Sequence, residues 1–135
     1  MERITIIGVG PIGASIGLGL MKRRIRNTEI VISSGKRKVL SEVSKMGAAD
    51  KTISGLRSAV EGARLVILDV SVAETREMLE AIAPILEEGT VVTIHGKHFD
   101  SNIAAYITND VLEIPDGAAI RACVTTENPL LFETF

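Results

Sequence analysis

The segment Ile4-Thr5-Ile6-Ile7-Gly8-Val9-Gly10-Pro11-Ile12-Gly13 decides the fold. Its first four residues are all β-branched, as a buried strand prefers. The rest spells G-x-G-x-x-G and runs into Ala14-Ser15-Ile16-Gly17, which reads as the start of a helix. Between a strand and a helix each glycine has a separate use. Gly8 permits a tight turn, Gly10 lets backbone approach a pyrophosphate, and Gly13 lets helix and strand pack closely. Pro11 falls in the first helical turn, where its missing N–H costs nothing. The unpaired N–H groups and the positive end of the helix dipole then favour an anion. The alternative for the same residues is a tight turn with no ligand. Gly17 and Gly19 extend a small-residue face along the helix.

Outward from this segment, strand-like and helix-like runs alternate. A helix is expected from Pro11 to about Arg24, a strand over Glu29–Ser33, and a helix from Lys36 to Met46 ended by Gly47. A short helix fits Leu56 to Gly62, and Leu65–Leu68 is the most hydrophobic strand candidate. Val72 to Leu86 places Met78, Leu79, Ile82, Ile85 and Leu86 on one helical stripe, with Gly89 as the stop. Thr90–Ile94 is the next strand, Ser101–Thr108 is weakly helical, and Ala118–Thr125 is a last strand. Such alternation implies βαβ units with right-handed crossovers. The expected fold is a doubly wound, mainly parallel α/β sheet in three αβα layers, with residues 1–135 forming one domain. The stretch from about 127 to 135 is an apolar tail, with Leu130, Leu131, Phe132 and Phe135. It is packed, shared with a partner, or the edge of a longer chain, so a homodimer or a missing partner domain is expected.

Composition narrows the classes of function. A chain of 135 residues with 46% hydrophobic and 24% charged residues is one globular domain rather than a disordered tail. Net charge of −2 argues against a surface for polyanions, and three Phe, one Tyr and no Trp argue against a single-strand nucleic-acid platform. No apolar run reaches the roughly 18 residues of a membrane span, and Met1-Glu2-Arg3-Ile4 enters a strand without a signal-peptide layout. Cys123 is the one cysteine, so neither an internal disulfide nor a paired-cysteine zinc site can form. Its simplest role is a small buried residue of the last strand. The expected setting is the cytoplasm, without nucleic acid, membrane or metal as partner.

The second strand bears on which dinucleotide fits. In NAD-binding domains a carboxylate near its tip accepts from the ribose 2′-hydroxyl. Here the tip reads Ile32-Ser33-Ser34-Gly35-Lys36-Arg37-Lys38, with Ser34 where that acid is expected. Hydroxyls and basic side chains bind a 2′-phosphate that a carboxylate would repel. Lys22, Arg23, Arg24 and Arg26 add to the basic run, opposed by Glu29. The alternative is that these charges only solvate two helix ends. NADP is therefore expected in preference to NAD, held by Gly8, Gly10, Pro11, Ile12, Gly13, Ser33, Ser34, Lys36 and Arg37, with Val70 and Ser71 alongside.

The run from Ile4 to Gly17 resembles the opening of prephenate dehydrogenases, as do Met46-Gly47-Ala48-Ala49-Asp50, Ala63–Leu68, and Ile85-Leu86-Glu87-Glu88-Gly89-Thr90-Val91-Val92-Thr93. The resemblance spans about residues 3 to 94 and is shared in part with related reductases and β-hydroxyacid dehydrogenases. It implies the N-terminal NAD(P)-binding Rossmann domain of an oxidoreductase that transfers hydride in tyrosine biosynthesis. The second-strand tip also resembles that of deazaflavin-dependent NADP reductases. The resemblance further implies an Asp-x-x-Ser-x-Lys loop after the fifth strand, but Ile94, Lys97 and Phe99 hold those positions. The histidine that it implies near Ala122-Cys123-Val124-Thr125 is not there, and the chain ends before the helical domain that it implies.

Some residues suggest chemistry of their own. His95 and His98 flank Lys97 after the fifth strand, where loops of such sheets meet ligands, and His95 or Lys97 could act as acid or base. The alternative is that both histidines are solvent-facing, and a metal site there would need Asp100 or water. Asp69 ends the most apolar strand, where the resemblance implies a small apolar residue. It either reaches the nicotinamide end of the ligand or takes part in a local turn. Ser71 with Glu74 has the spacing of a helix cap. Three functions stay open: an NADP-dependent oxidoreductase like prephenate dehydrogenase, a non-catalytic nucleotide-binding or regulatory module, and a small reductase using His95 or Lys97.

Overall fold

The computed structural model describes residues 2–8, 10–96 and 117–124. Along the chain lie β1 (Glu2–Ile7), α1 (Pro11–Arg23), β2 (Thr28–Ser33), α2 (Arg37–Met46), β3 (Lys51–Ile53), α3 (Leu56–Val60), β4 (Ala63–Leu68), α4 (Val72–Ile82), β5 (Val91–Gly96) and β6 (Ala119–Val124). The strands form one sheet in the order β3-β2-β1-β4-β5-β6, and all five pairings are parallel. The doubly wound α/β expectation holds. The order reverses between β1 and β4, which is where sheets of this kind open a crevice at their carboxyl ends.

Period-two alternation along the strands builds two cores, one on each face. Ile6, Ile30, Ile32 and Ile67 are buried with Val43 and Ala48, and Ala14, Ile16, Leu20, Met21, Val39 and Leu40 of α1 and α2 pack against them. Ile7, Val66, Leu68, Val92 and Ile94 point the other way, toward Val60 of α3 and Leu79 and Ile82 of α4. Burial of each such side chain contributes about 1.5–3 kcal/mol. At the amino end of the sheet Arg3 joins three elements. Its Nε donates to Glu29 Oε1 at 2.6 Å, and its Nη1 donates to the carbonyls of Ser58 (2.8 Å) and Glu61 (3.1 Å).

Several boundaries differ from the sequence reading. The helix expected over Val72–Leu86 stops at Ile82 and tightens into a 3₁₀ turn over Ala83–Ile85, because Pro84 has no N–H to continue the ladder. β3 has no signature in the sequence, since three residues are too few to show alternation. It is set beside β2 by Asp50, whose Oδ2 accepts from the Ile30 N–H at 2.8 Å and whose own N–H donates to the Ile30 carbonyl at 2.9 Å. β5 extends to Gly96, so His95 is a strand residue in register with Cys123 and not part of the loop beyond. The helix expected over Ser101–Thr108, the residues Lys97 and His98, and the apolar tail lie outside the described residues.

Candidate functional site at the carboxyl ends of the first, second and fourth strands

The G-x-G-x-x-G segment forms the turn from β1 into α1. Gly8 has φ +87°, a left-handed conformation that glycine adopts freely, and its N–H donates to the Ser33 carbonyl at 2.9 Å. A side chain at Gly8 would collide with Val70 Cγ1 and come within 2.9 Å of the Asp69 carbonyl, so the β1 and β4 ends meet only because Gly8 has none. Gly10 is the N-cap of α1, and Pro11 and Ile12 are its first two residues, as expected for the proline. Gly13 is buried, and a Cβ there would lie 3.2 Å from Ile6 Cγ2, which confirms close helix–strand packing. Gly17 continues that small face, with space for a Cβ closed by the Ala48 carbonyl oxygen at 2.5 Å. Gly19 does not: it is exposed and nothing lies within 4 Å.

Asp69 does something that neither sequence alternative named. Its N–H donates to the Ile7 carbonyl at 2.9 Å, which extends the β1–β4 ladder by one residue. Its carboxylate turns back onto the glycine turn, and Oδ2 accepts from the N–H groups of Gly10 (2.8 Å) and Gly13 (2.7 Å). The space over both glycines is filled by the same oxygen, which a Cβ would meet at 3.2 Å and 2.8 Å. The signal for this was present in the sequence, as a carboxylate that ends the most apolar strand beside a glycine turn. Val70 follows, packed against the core under α4. Ser71 is the N-cap of α4, with Oγ accepting from the Glu74 N–H at 3.3 Å and its carbonyl accepting from Thr75 Oγ1 at 2.9 Å.

The β2 tip completes the crevice. Ser33 and Ser34 are buried, and Ser34 Oγ accepts from the Lys36 N–H at 3.1 Å, which leaves its own proton to donate. Lys36 and Arg37 are exposed at the start of α2, a helix with no side-chain cap and no acidic residue in its first turn. Basic residues here oppose the helix dipole, so this end of α2 suits an added anion. The rest of the basic run is elsewhere. Lys22 and Arg23 close the last turn of α1, and Arg24 and Arg26 precede β2 at its amino end. The six residues of β2 separate them from Lys36 by roughly 20 Å of strand. Only Lys36, Arg37 and Lys38 of the expected basic cluster stand at the carboxyl edge.

An open cleft of about 780 Å³ lies at that opposite end, lined by residues that include Leu18, Met21, Ile25 and Asp50, and it does not include the glycine turn. Among the described residues no helix is long and apolar enough to cross a membrane, and no three His, Cys, Asp or Glu side chains are grouped to hold a metal ion.

For a dinucleotide the glycine turn and the β2 tip fit. The anion position at the head of α1 is held by the Asp69 carboxylate.

Residues 3–96, which run from the second residue of β1 to the end of β5, match the family model described as NADP oxidoreductase, coenzyme F420-dependent. The chain is similar to prephenate dehydrogenase of Lactococcus lactis subsp. cremoris (strain MG1363), 34% identical over 97 residues, which cover 71% of this chain and 27% of that protein. It thus spans about a quarter of that relative's length. Its fold is similar to Synechocystis arogenate dehydrogenase, with a TM-score of 0.67 and 21% identity over 76% of this chain and 35% of that one. It is also similar to prephenate dehydrogenase from A. aeolicus, a structure in complex with hydroxyphenyl propionate and NAD+, with a TM-score of 0.61 and 24% identity over 72% and 34% of the two chains. The expected Rossmann fold and the expected family resemblance both hold.

Proposed function

The chain belongs to the family described as NADP oxidoreductase, coenzyme F420-dependent, and from that premise we propose that it binds a nicotinamide dinucleotide across the carboxyl ends of β1, β2 and β4, NADP in preference to NAD. The observation that carries the preference is the β2 tip. Ser34 stands where an acid would read the 2′-hydroxyl, and Lys36 and Arg37 open an α2 that has no acidic residue in its first turn. Gly8, Gly10, Pro11, Ile12 and Gly13 shape the turn, Ser33 and Ser34 line the adenosine side, and Val70 and Ser71 form the wall from β4. When bound, the dinucleotide supplies hydride chemistry; the residues of this chain orient it. Calorimetric titration of the chain with NADP+ and NAD+ tests the reading. At least tenfold tighter NADP+ is expected, and equal affinities overturn the preference.

A second reading, a module that binds the nucleotide without turning over a substrate, is favoured by Ile94, Lys97 and Phe99 where the prephenate dehydrogenase resemblance implies Asp, Ser and Lys. Its test is an assay of cofactor reduction with NADP+ and prephenate. No turnover is expected. Turnover that is lost in His95→Ala would instead assign His95 to the chemistry.

A further inference from the structure

The first turn of a helix carries N–H groups without intrahelical partners, and in α1 the residues concerned are Gly10 to Gly13. Pro11 has no N–H, so three donors remain, and one carboxylate oxygen takes two of them, at 2.8 Å from Gly10 and 2.7 Å from Gly13. These are charge-assisted hydrogen bonds of the kind that a pyrophosphate oxygen would make there. The absence of a Cβ at both glycines, which would open the backbone to a phosphate, is used to admit Asp69 instead. We propose that Asp69 is an internal anion that competes with the pyrophosphate for the glycine turn, so that a dinucleotide enters this pocket only by displacing the carboxylate.

The proposal rests on the dinucleotide reading above and adds to it a residue that sets affinity. Displacement does not require the fold to change. The Asp69 backbone is held by its N–H to the Ile7 carbonyl at 2.9 Å, so rotation about the side-chain bonds alone frees the Gly10 and Gly13 donors. The contact involves the pyrophosphate, which NAD and NADP share. It therefore lowers affinity for both alike and leaves the choice between them to the β2 tip.

The test titrates the full chain and the variants Asp69→Asn and Asp69→Ala with NADP+, NAD+, inorganic pyrophosphate and adenosine 2′-phosphate. The expected result is at least tenfold tighter binding of NADP+, NAD+ and pyrophosphate by Asp69→Ala, a smaller gain in the near-isosteric Asp69→Asn, and no change for adenosine 2′-phosphate. Unchanged or weaker dinucleotide and pyrophosphate binding by folded variants would overturn the proposal and make Asp69 a clamp that only shapes the turn. If pyrophosphate binding tightens while no dinucleotide binds any form, the internal anion stands and the dinucleotide reading falls. If nothing binds any form, both fall. Should the alanine variant not fold, the parent decides: on saturation with NADP+ the Gly10 and Gly13 amide proton resonances must shift as their acceptor is exchanged, and unmoved resonances overturn the proposal.

Discussion

Gly17 faces the carbonyl oxygen of Ala48 so closely that a Cβ on Gly17 would lie 2.5 Å from it. α1 thus rests on the chain that follows α2 through a bare backbone, and Ile32 Cδ1, 3.3 Å from the same point, closes the remaining space. Alanine inside a helix is ordinarily more stable than glycine by about 0.5–1 kcal/mol. At Gly17 the sign should reverse, because the obstacle is backbone that cannot rotate away, and overpacking costs about 1–3 kcal/mol. Gly19, two residues on and with nothing within 4 Å, is the internal comparison. Urea denaturation should show Gly17→Ala destabilised and Gly19→Ala stabilised; equal effects would refute the packing argument.

The same pair shows what a single sequence can and cannot reveal. Both glycines read as one small-residue face, yet positions two apart on a helix are turned about 200° from each other, so Gly17 meets a neighbour and Gly19 looks away from it. The glycine turn was legible because strand, turn and helix are contiguous and each glycine has a local reason. Lys51–Ile53 was not, since its pairing with Val31–Ser33 depends on an edge that exists only once β2 is in place. The basic run misled for a geometric reason: β2 carries the chain from one end of the sheet to the other, so Arg26 and Lys36 belong to opposite edges. Asp69 is visible as an anomaly, but the N–H groups that donate to it lie 59 and 56 positions earlier in the chain.

Thr5 is fully buried in β1, and its Oγ1 donates to the Ala59 carbonyl at 2.6 Å. Thr5→Val preserves shape and β-branching but removes the donor to a buried carbonyl. The expected loss is about 1–3 kcal/mol. Thr5→Ser keeps the hydroxyl and gives up one methyl group, about 0.8 kcal/mol. Urea midpoints should therefore rank parent, Ser variant, Val variant, and a Val variant as stable as the parent would show that the hydrogen bond contributes nothing net.

Glu29 gives the acid side of the stability profile a direction. The hydrogen bond from Arg3 holds its carboxyl below the ordinary value of 4.5, against the opposing effect of burial and with help from the charges of Arg3 and Lys51. The folded chain therefore binds fewer protons at this site than the unfolded chain does. Stability from the pair is fully present above the ordinary value and is lost as pH falls through the lowered one. Glu29→Gln should lose about 1.5 kcal/mol at neutral pH, the lower end for a hydrogen bond between charged groups, since the Arg3 and Glu29 side chains are 19% and 18% exposed. The gap between parent and variant should close on acidification from pH 5 toward 2, as read by thermal melts. A gap that widens would reverse the sign argued here.

Ser34 offers the sharpest change of ligand choice by one residue. Its Oγ accepts from the Lys36 N–H at 3.1 Å, a local turn that an aspartate carboxylate can also make. Ser34→Asp should therefore fold normally while placing a negative charge at the β2 tip. For NADP+ that charge repels the 2′-phosphate and competes for Lys36 and Arg37. For NAD+ it supplies an acceptor for the ribose hydroxyls. Each charge-assisted contact is worth about 1.5–3 kcal/mol, so a loss of about 10–100-fold for NADP+ is expected, together with a gain for NAD+. The ratio of the two affinities should invert in Ser34→Asp and stay put in Asp69→Ala, because one residue faces the 2′ position and the other the pyrophosphate. Rising salt should weaken the parent's preference for NADP+, since Lys36 and Arg37 are exposed and their charges are screened. If Ser34→Asp leaves the affinity ratio unchanged, the β2 tip does not read the 2′ position, and the preference for NADP loses its basis.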